Sequence, residues 1–256
     1  MSVPVAVVTG ASSGIGRALA QQLDAEGYQL VLCDVNEAGL RETGASLKRT
    51  AQLTTLDVSR RDDVYAMAAD VIAKHGRVDL VINNAGVTCD ATINELGYDD
   101  FEWLFGINFW GVVYGTKAFL PHLLERRAGT IVNISSVFGL MAFPRQAAYN
   151  ASKFAVRGFT EALWLELEGS GVEAVCVHPG GIKTNIVRGA RLKHPSEADR
   201  HKMVSDFDRV AKTTPEVAAA TILRGVYEKK RRVLIGADAH AIALMVRLLP
   251  DSYPAI

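Results

Sequence analysis

Seven short runs of β-branched and other apolar residues recur along the chain, at 3–8, 30–33, 53–56, 78–82, 130–135, 172–177 and 232–235, each bounded by turn-forming residues. Runs of this kind read as strands buried on both faces. Between most of them lie segments of helical length and periodicity, among them 17–26, 62–75 and 101–127. Strand and helix therefore alternate, which predicts an α/β chain: a doubly wound parallel sheet of about seven strands with helices on both faces. No Pro/Gly/Ser-rich linker and no internal repeat divides the sequence, so residues 1–256 read as a single domain. The main interruption is 185–214, rich in charge and poor in strand signal, ahead of a helix opening at Thr214-Pro215-Glu216; it reads as a substrate lid. A further helix is expected over 239–249, after the last strand.

Composition narrows the classes. Hydrophobic residues make up 49% of the chain, enough for a substantial core. The 28 Lys and Arg balance 28 Asp and Glu, so charge gives no case for nucleic acid or an anionic membrane. Cys33, Cys89 and Cys176 are far apart and form neither a disulfide framework nor a zinc spacing. Met1-Ser2 passes directly into Val3-Pro4-Val5-Ala6-Val7-Val8 without the basic region of a signal peptide. No apolar run approaches the ~20 residues of a membrane span, so no integral membrane segment and a cytoplasmic location are expected.

The candidate chemistry starts at Tyr149 and Lys153, four residues apart at the head of a helix-like stretch, with Ser136 thirteen positions upstream at the end of a strand-like run. A phenol titrates near pH ~10 and is a poor base at neutral pH unless a cation stabilises its phenolate. A lysine one helical turn away supplies that cation. Seven tyrosines and ten lysines make about a quarter of one such pair by chance, so its weight comes from its surroundings.

Those surroundings include a glycine-rich turn. Thr9-Gly10-Ala11-Ser12-Ser13-Gly14-Ile15-Gly16 follows the first strand and opens the helix Arg17-Ala18-Leu19-Ala20. Glycines there tighten the turn and let backbone N–H groups approach a pyrophosphate at the positive end of the helix. Asp34 ends the second strand, where a carboxylate accepts hydrogen bonds from the adenosine ribose and repels a 2′-phosphate, favouring NAD over NADP. The alternative is a helix-capping aspartate before Val35-Asn36-Glu37, and Arg17, close in sequence, keeps NADP open as a cofactor.

Taken together, these residues resemble the short-chain dehydrogenase/reductase family. The matching motifs run in order over roughly 3–185: Thr9-Gly-x-x-x-Gly-x-Gly16, Asp57-Val58, Asn83-Asn84-Ala85-Gly86, Asn108, Ser136, Tyr149-x-x-x-Lys153, and Pro179-Gly180-Gly181-Ile182-Lys183-Thr184. The resemblance implies a Rossmann fold and an NAD(P)-dependent oxidoreductase acting on a secondary alcohol or ketone, with no metal. It implies that Gly10, Ser12, Ser13, Gly14, Ile15 and Gly16 cradle the cofactor and that Asp57 and Val58 meet the adenine. Asn84, with Ala85 and Gly86, would lie at the ribose region, and Pro179, Gly180, Ile182 and Thr184 at the nicotinamide end, with Asn83 bracing the sheet. Tyr149 would be the acid/base, exchanging the alcohol proton while hydride passes to or from the nicotinamide. Lys153 would bind the ribose and lower the tyrosine pKa, Ser136 would hold the substrate oxygen, and Asn108 a water linking Lys153 to solvent. Ser136 is preferred to Ser135 by its spacing from the tyrosine and because neighbouring strand residues face opposite sides. For Asn108, a surface or interface position is the alternative.

Val137, Phe138, Leu140, Met141, Phe143 and Pro144 lie between the serine and the tyrosine. As pocket lining they suit an apolar or bulky substrate; alternatively several complete the core. Arg188, Arg191, Lys193, Arg200 and Lys202 of the lid either attract an anionic substrate or belong to a solvated loop. The segment 101–124 is apolar nearly all round and needs a second partner besides its own sheet. By the resemblance this implies a homodimer or homotetramer, although the helix over 239–249 departs from the usual ending of tetrameric relatives. That helix covers the pocket, packs on a neighbouring subunit or lies on a membrane surface. Two other readings are a dinucleotide-sensing regulator without catalysis, which would tend to lose the Ser-Tyr-Lys set, and a sugar-nucleotide epimerase, for whose longer C-terminal part this chain has no room.

Overall fold

The computed structural model describes residues 3–192 and 197–253. In chain order the elements are β1 (Val5–Thr9), α1 (Gly14–Ala25), β2 (Gln29–Asp34), α2 (Glu37–Ala45), β3 (Gln52–Thr55), α3 (Arg61–His75), β4 (Leu80–Asn83) and β5 (Cys89–Asp90). They continue with α4 (Tyr98–Phe105), α5 (Gly111–Arg126), β6 (Gly129–Ile134), α6 (Ala147–Glu166), β7 (Val172–Pro179) and β8 (Arg191–Leu192). The last are α7 (Glu197–Val210), α8 (Pro215–Tyr227), β9 (Arg232–Ile235) and α9 (Ala237–Leu248).

Seven strands form one parallel sheet in the order β3-β2-β1-β4-β6-β7-β9. The expected doubly wound α/β architecture is therefore present. Successive strand residues divide between two cores: Ala6 and Val8 pack with α1 and α8, whereas Val5 and Val7 pack with α3, α5 and α6. A strand covered on both faces has no polar side, which is why the apolar runs are continuous. The strand order reverses between β1 and β4, and the crevice at the carboxyl ends there is where ligands bind in open sheets of this kind.

A buried amide network sets the helices on this sheet. Asn83 Nδ2 donates to Asn133 Oδ1 at 2.9 Å and to Thr116 Oγ1 at 3.3 Å, and Asn133 Nδ2 donates to Thr160 Oγ1 at 3.1 Å. β4 and β6 are thereby tied to α5 and α6. Close approach of α5 depends on glycine: a Cβ at Gly115 would lie 2.1 Å from Asn83 Oδ1, and one at Gly111 2.8 Å from Val58 Cγ2.

Three segments differ from the sequence expectation. β3, expected to be covered on both faces, is an edge strand that leaves Leu53 and Thr55 exposed. The helix expected over 101–127 begins earlier, at Tyr98, and is interrupted by a π-helical turn, Gly106–Trp110, between α4 and α5. Apolar periodicity does not register one extra residue in a helical turn. The charged segment 185–214 carries β8 and α7, where the sequence pattern predicts a lid without strand signal. β8 pairs with β5 in a two-residue ladder, and each is too short to leave a hydrophobic pattern. Residues 193–196, with the Lys193 reading, lie outside the described residues, as does the side chain of Arg200.

Candidate active site

Helix α1 begins at the crevice. Gly10 (φ +66°) and Gly14 (φ +53°) adopt the left-handed backbone that side chains rarely tolerate. Gly16 is required by contact instead, because a Cβ there would stand 2.1 Å from the Gly10 carbonyl oxygen. The helix N-cap, Ser13, makes no side-chain capping bond and the first turn holds no acid. Its N–H groups are thus left for an anion, and the residues fit a dinucleotide pyrophosphate.

Thr9 and Asn84 hold this turn from below. Thr9 Oγ1 accepts from the backbone N–H of Asn84 at 3.0 Å and of Ala85 at 3.1 Å. Asn84 Nδ2 donates to the Thr9 and Gly10 carbonyls at 2.9 and 3.1 Å. The Asn84 side chain is therefore committed to the glycine turn, while the backbone of 84–86 runs past it. Nothing in local sequence announces this bracing across some 75 residues.

At the end of β2, Asp34 Oδ2 accepts from Ser12 N–H at 3.0 Å and Oδ1 from Asn36 N–H at 2.9 Å. The N-cap of α2 is Asn36, whose side chain accepts from Gly39 N–H, so Asp34 is not that cap. The Arg17 guanidinium joins the glycine-rich turn to α2: it donates to Thr43 Oγ1, Ser12 O, Gly39 O and Glu42 Oε2 at 2.9, 2.6, 3.2 and 2.9 Å. Asp57 accepts from the N–H and hydroxyl of Ser59, and Val58 is buried against Gly111.

The segment after β7 closes the crevice from the other side. A Cβ at Gly14 would touch the Thr184 methyl at 3.1 Å, so the glycine-rich turn and the segment after β7 meet. Ile182 is buried and bridges to Thr213. Gly181 N–H donates to Asp238 Oδ2 at 2.7 Å, and a Cβ at Gly180 would lie 2.1 Å from that carboxylate. Asp238, in the first turn of α9, is a supporting residue that the sequence reading missed; it lies 57 residues away and has no local signature.

Ser136, Tyr149 and Lys153 come together. The Ser136 side chain acts on the Tyr149 hydroxyl, favouring loss of its proton. Lys153 is buried, donates from Nζ to the Ile134 carbonyl at 2.9 Å, and lies 5.6 Å from the Tyr149 ring centroid. Ser135 points elsewhere, its hydroxyl donating to the Lys153 carbonyl at 2.8 Å. Gly139 lets the short helical turn Val137–Gly139 lie against this contact, since a Cβ there would be 2.3 Å from Ser135 Oγ.

Burial opposes both ionisations. It pushes the Tyr149 phenol up to about 12, against a smaller lowering by the Ser136 bond, and pushes Lys153 down to about 8. Tyr149 keeps part of its surface accessible, so solvent moderates its shift. The sequence suggested a lysine cation holding the phenol down; the structure adds a desolvation effect that works against it.

Asn108 is wholly buried in the π-helical turn. Its amide donates to Val87 O at 2.9 Å and to Ser152 Oγ at 3.3 Å and accepts from Val87 N–H at 2.8 Å, so it is no surface residue. Both Asn108 Oδ1 and Lys153 Nζ flank Gly86, at 3.4 and 3.6 Å from where a Cβ would stand. π-Turns of this kind are frequent at functional sites.

Of the expected pocket residues, Val137 and Leu140 are buried in the core, whereas Phe143 is 52% exposed. Phe138 stacks on Phe143 at 5.4 Å and meets the Tyr149 ring edge-on at 5.9 Å. Ala142 N–H donates to Tyr253 Oη at 3.2 Å, bringing the stretch after α9 onto this wall. Arg191 pairs with Asp100 at 3.1 Å and lies over the Trp103 ring at 3.7 Å, and Arg188 approaches Asp208 at 3.7 Å. Among the described residues no helix is long and apolar enough to cross a membrane.

Comparison with known proteins gives the family and supports the fold. Residues 4–195 match the short chain dehydrogenase family. SadH of Mycobacterium tuberculosis, named as an oxidoreductase, is 46% identical over 255 residues, covering 97% of this chain and 92% of its own. The crystal structure of a short chain dehydrogenase/reductase from Burkholderia phymatum in complex with NAD superposes with a TM-score of 0.89 at 31% identity, over 99% of this chain and 95% of that one. A metagenomic short-chain oxidoreductase in complex with NADP superposes at 0.75 and 27% identity, over 92% and 97%. The chain belongs to the short chain dehydrogenase family of oxidoreductases.

Proposed function

We propose that the protein is an NAD(P)-dependent alcohol dehydrogenase or ketoreductase acting on a secondary alcohol or ketone of apolar or bulky character. The observation that carries this reading is the convergence of Tyr149, Ser136 and buried Lys153: Ser136 acts on the Tyr149 hydroxyl and Lys153 Nζ lies 5.6 Å from the Tyr149 ring centroid. When bound, the nicotinamide supplies the hydride acceptor or donor.

The remaining work falls to the chain. Ser136 Oγ already accepts the Phe138 N–H at 3.1 Å, so its own hydrogen is directed to a substrate oxygen or to Tyr149. Tyr149 takes the proton of that oxygen in oxidation and returns it in reduction. Lys153 sits in a site where burial costs its charge, so a ribose hydroxyl accepting from Nζ would restore part of what desolvation removes. Asn108, next to Lys153 across Gly86, is assigned the relay water through which the proton reaches solvent.

NAD is the proposed preferred cofactor. Asp34 places a carboxylate at the end of β2, and hydrogen bonds to Ser12, Gly39, Glu42 and Thr43 draw the Arg17 guanidinium toward α2. NADP remains the second cofactor. Gly10, Ser12, Ser13, Gly14, Ile15 and Gly16 would hold the pyrophosphate, Asp57 and Val58 the adenine, and Asn84, Ala85, Gly86, Pro179, Gly180, Ile182 and Thr184 the nicotinamide half. Residues 185–214 are assigned as the cover of the substrate side, anchored through Arg191 on α4. Exposed Trp110, Phe154 and Leu165 beside and along α6 support a homodimer or homotetramer. Three unpaired, buried cysteines support a cytoplasmic, reducing environment.

The test is turnover of a panel of secondary alcohols and ketones with NAD and NADP, read at the absorbance of the reduced nicotinamide. Turnover of apolar members that disappears in Tyr149→Phe is expected. No turnover of any member would favour a regulator that binds the dinucleotide without using it.

A further inference from the structure

His178 stands one residue before Pro179 at the carboxyl end of β7, wholly buried and in register with Leu234 of β9. Its Nδ1 lies 2.9 Å from the main-chain oxygen of Ser136, 42 residues earlier in the chain. A carbonyl offers only lone pairs, so the contact requires the hydrogen on Nδ1. Nε2 is buried with no hydrogen-bond partner. A protonated Nε2 there would leave a donor unpaired, so the ring is neutral. Burial acts in the same sense, pushing the imidazole down to about 4.

The contact sits where it matters for geometry. The Ser136 oxygen also accepts Gly139 N–H at 2.9 Å, a bond internal to the turn. Ser135 N–H donates to Val177 O at 2.8 Å, so β7 holds the two serines at successive positions, once through its backbone and once through the His178 ring. On its other side His178 leads directly into Pro179, Gly180 and Ile182. One imidazole thus ties the serine turn to the strand that carries the nicotinamide-end loop.

We propose that His178 is a positioning residue: as the neutral Nδ1–H tautomer it clamps the Ser136 carbonyl to β7 and so fixes the Ser136 hydroxyl against Tyr149 and the segment 179–184. The inference rests on the dehydrogenase reading for what is being positioned. An aliphatic residue would fill the same space without an orphaned nitrogen, and the unpaired Nε2 is the cost of having the donor there.

The experiment compares the parent protein with His178→Leu, which keeps volume without a donor, and His178→Asn, whose amide nitrogen reproduces the Nδ1 donor. In His178→Leu, kcat on a panel substrate is expected to fall about 10-fold or more while the NADH dissociation constant, read by fluorescence, changes less than about 3-fold. His178→Asn is expected to recover most of that loss. Nitrogen-15 NMR of the labelled parent protein should show one imidazole with Nδ1 protonated, Nε2 bare and no titration between pH ~5 and ~8. That spectrum tests the clamp even where the leucine variant fails to fold. A protonated Nε2, an unchanged kcat in His178→Leu, or an asparagine variant no better than the leucine one would overturn the inference. Absence of turnover in the parent would instead overturn the dehydrogenase reading, and any catalytic consequence of His178 with it, whichever tautomer is found.

Discussion

Lys153 Nζ lies 5.6 Å from the centre of the Tyr149 ring, one helical turn further along α6, and its hydrogen bond runs to the Ile134 carbonyl. The lysine is therefore anchored to the sheet rather than to the phenol. Its influence on Tyr149 is through space, in a site where burial weakens the lysine charge and strengthens the hold of the phenol on its proton. A further positive charge, such as the ring of an oxidised nicotinamide, shifts both balances.

Ultraviolet difference titration of the parent against Tyr149→Phe should therefore show no Tyr149 phenolate below pH ~10 in the protein alone and a lower onset once NAD is added. An onset that ignores NAD would remove electrostatic tuning from the account.

Replacing Tyr149 by phenylalanine is expected to lower kcat about 10³-fold or more and to leave NADH binding within about 3-fold. The ring stays wedged against Phe138, so the fold is preserved. Stopped-flow hydride transfer and fluorescence titration separate the two effects.

Asp34→Ala should move the ratio of NADP to NAD efficiency upward by about 10-fold or more. It also removes the acceptor of the Ser12 and Asn36 N–H groups, so a stability loss of about 1 kcal/mol is expected in urea unfolding. An unchanged cofactor ratio with the stability loss alone would reduce Asp34 to a support of the turn.

Asp238→Ala should raise the KM for the cofactor several-fold, because the Gly181 N–H loses its acceptor and the loop carrying Ile182 and Thr184 loses its tie to α9. Gly180→Ala should be strongly destabilising in the parent and milder in the Asp238→Ala background, where the carboxylate that would meet the new methyl is gone. Thermal unfolding of the four proteins checks the coupling.

Acid should destabilise the fold through His178. Its folded pKa lies below the unfolded one, so the unfolded chain binds more protons between pH ~6.5 and ~4 and stability falls as pH drops through that window. The penalty is absent above it and reaches about 3 kcal/mol at most below it. Glu161, Arg157 and Arg232 are the charged groups whose fields reach the ring. Urea unfolding against pH should show the slope, and His178→Asn should flatten it.

The parts of the site legible in sequence are those whose physics is local. Gly10 and Gly14 announce a turn because only glycine enters that backbone region freely, and Tyr149 and Lys153 announce a pair because a helix brings fourth neighbours together. Continuous apolar runs betray strands covered on both faces. The supports were not legible, because each joins residues that are distant in sequence: Asp238 to Gly181, Thr9 to Asn84, His178 to Ser136. Arg17 shows the same limit at shorter range, since its place near the glycine turn is readable but its direction, into α2, depends on where Thr43 and Glu42 come to rest. Burial is the other hidden quantity, and it works against the simplest expectation for Lys153 and Tyr149.

The π-helical turn Gly106–Trp110 acts as a phase shifter between two helices that otherwise read as one. A residue added to or removed from an α-helix rotates everything beyond it by about 100°. Excising one residue from this turn would swing Gly111 and Gly115 off Val58 and Asn83 and bring bulkier neighbours against them, lifting α5 from the sheet. The single irregular turn that seats Asn108 is thus also what makes the length of this helix, and not only its composition, non-negotiable.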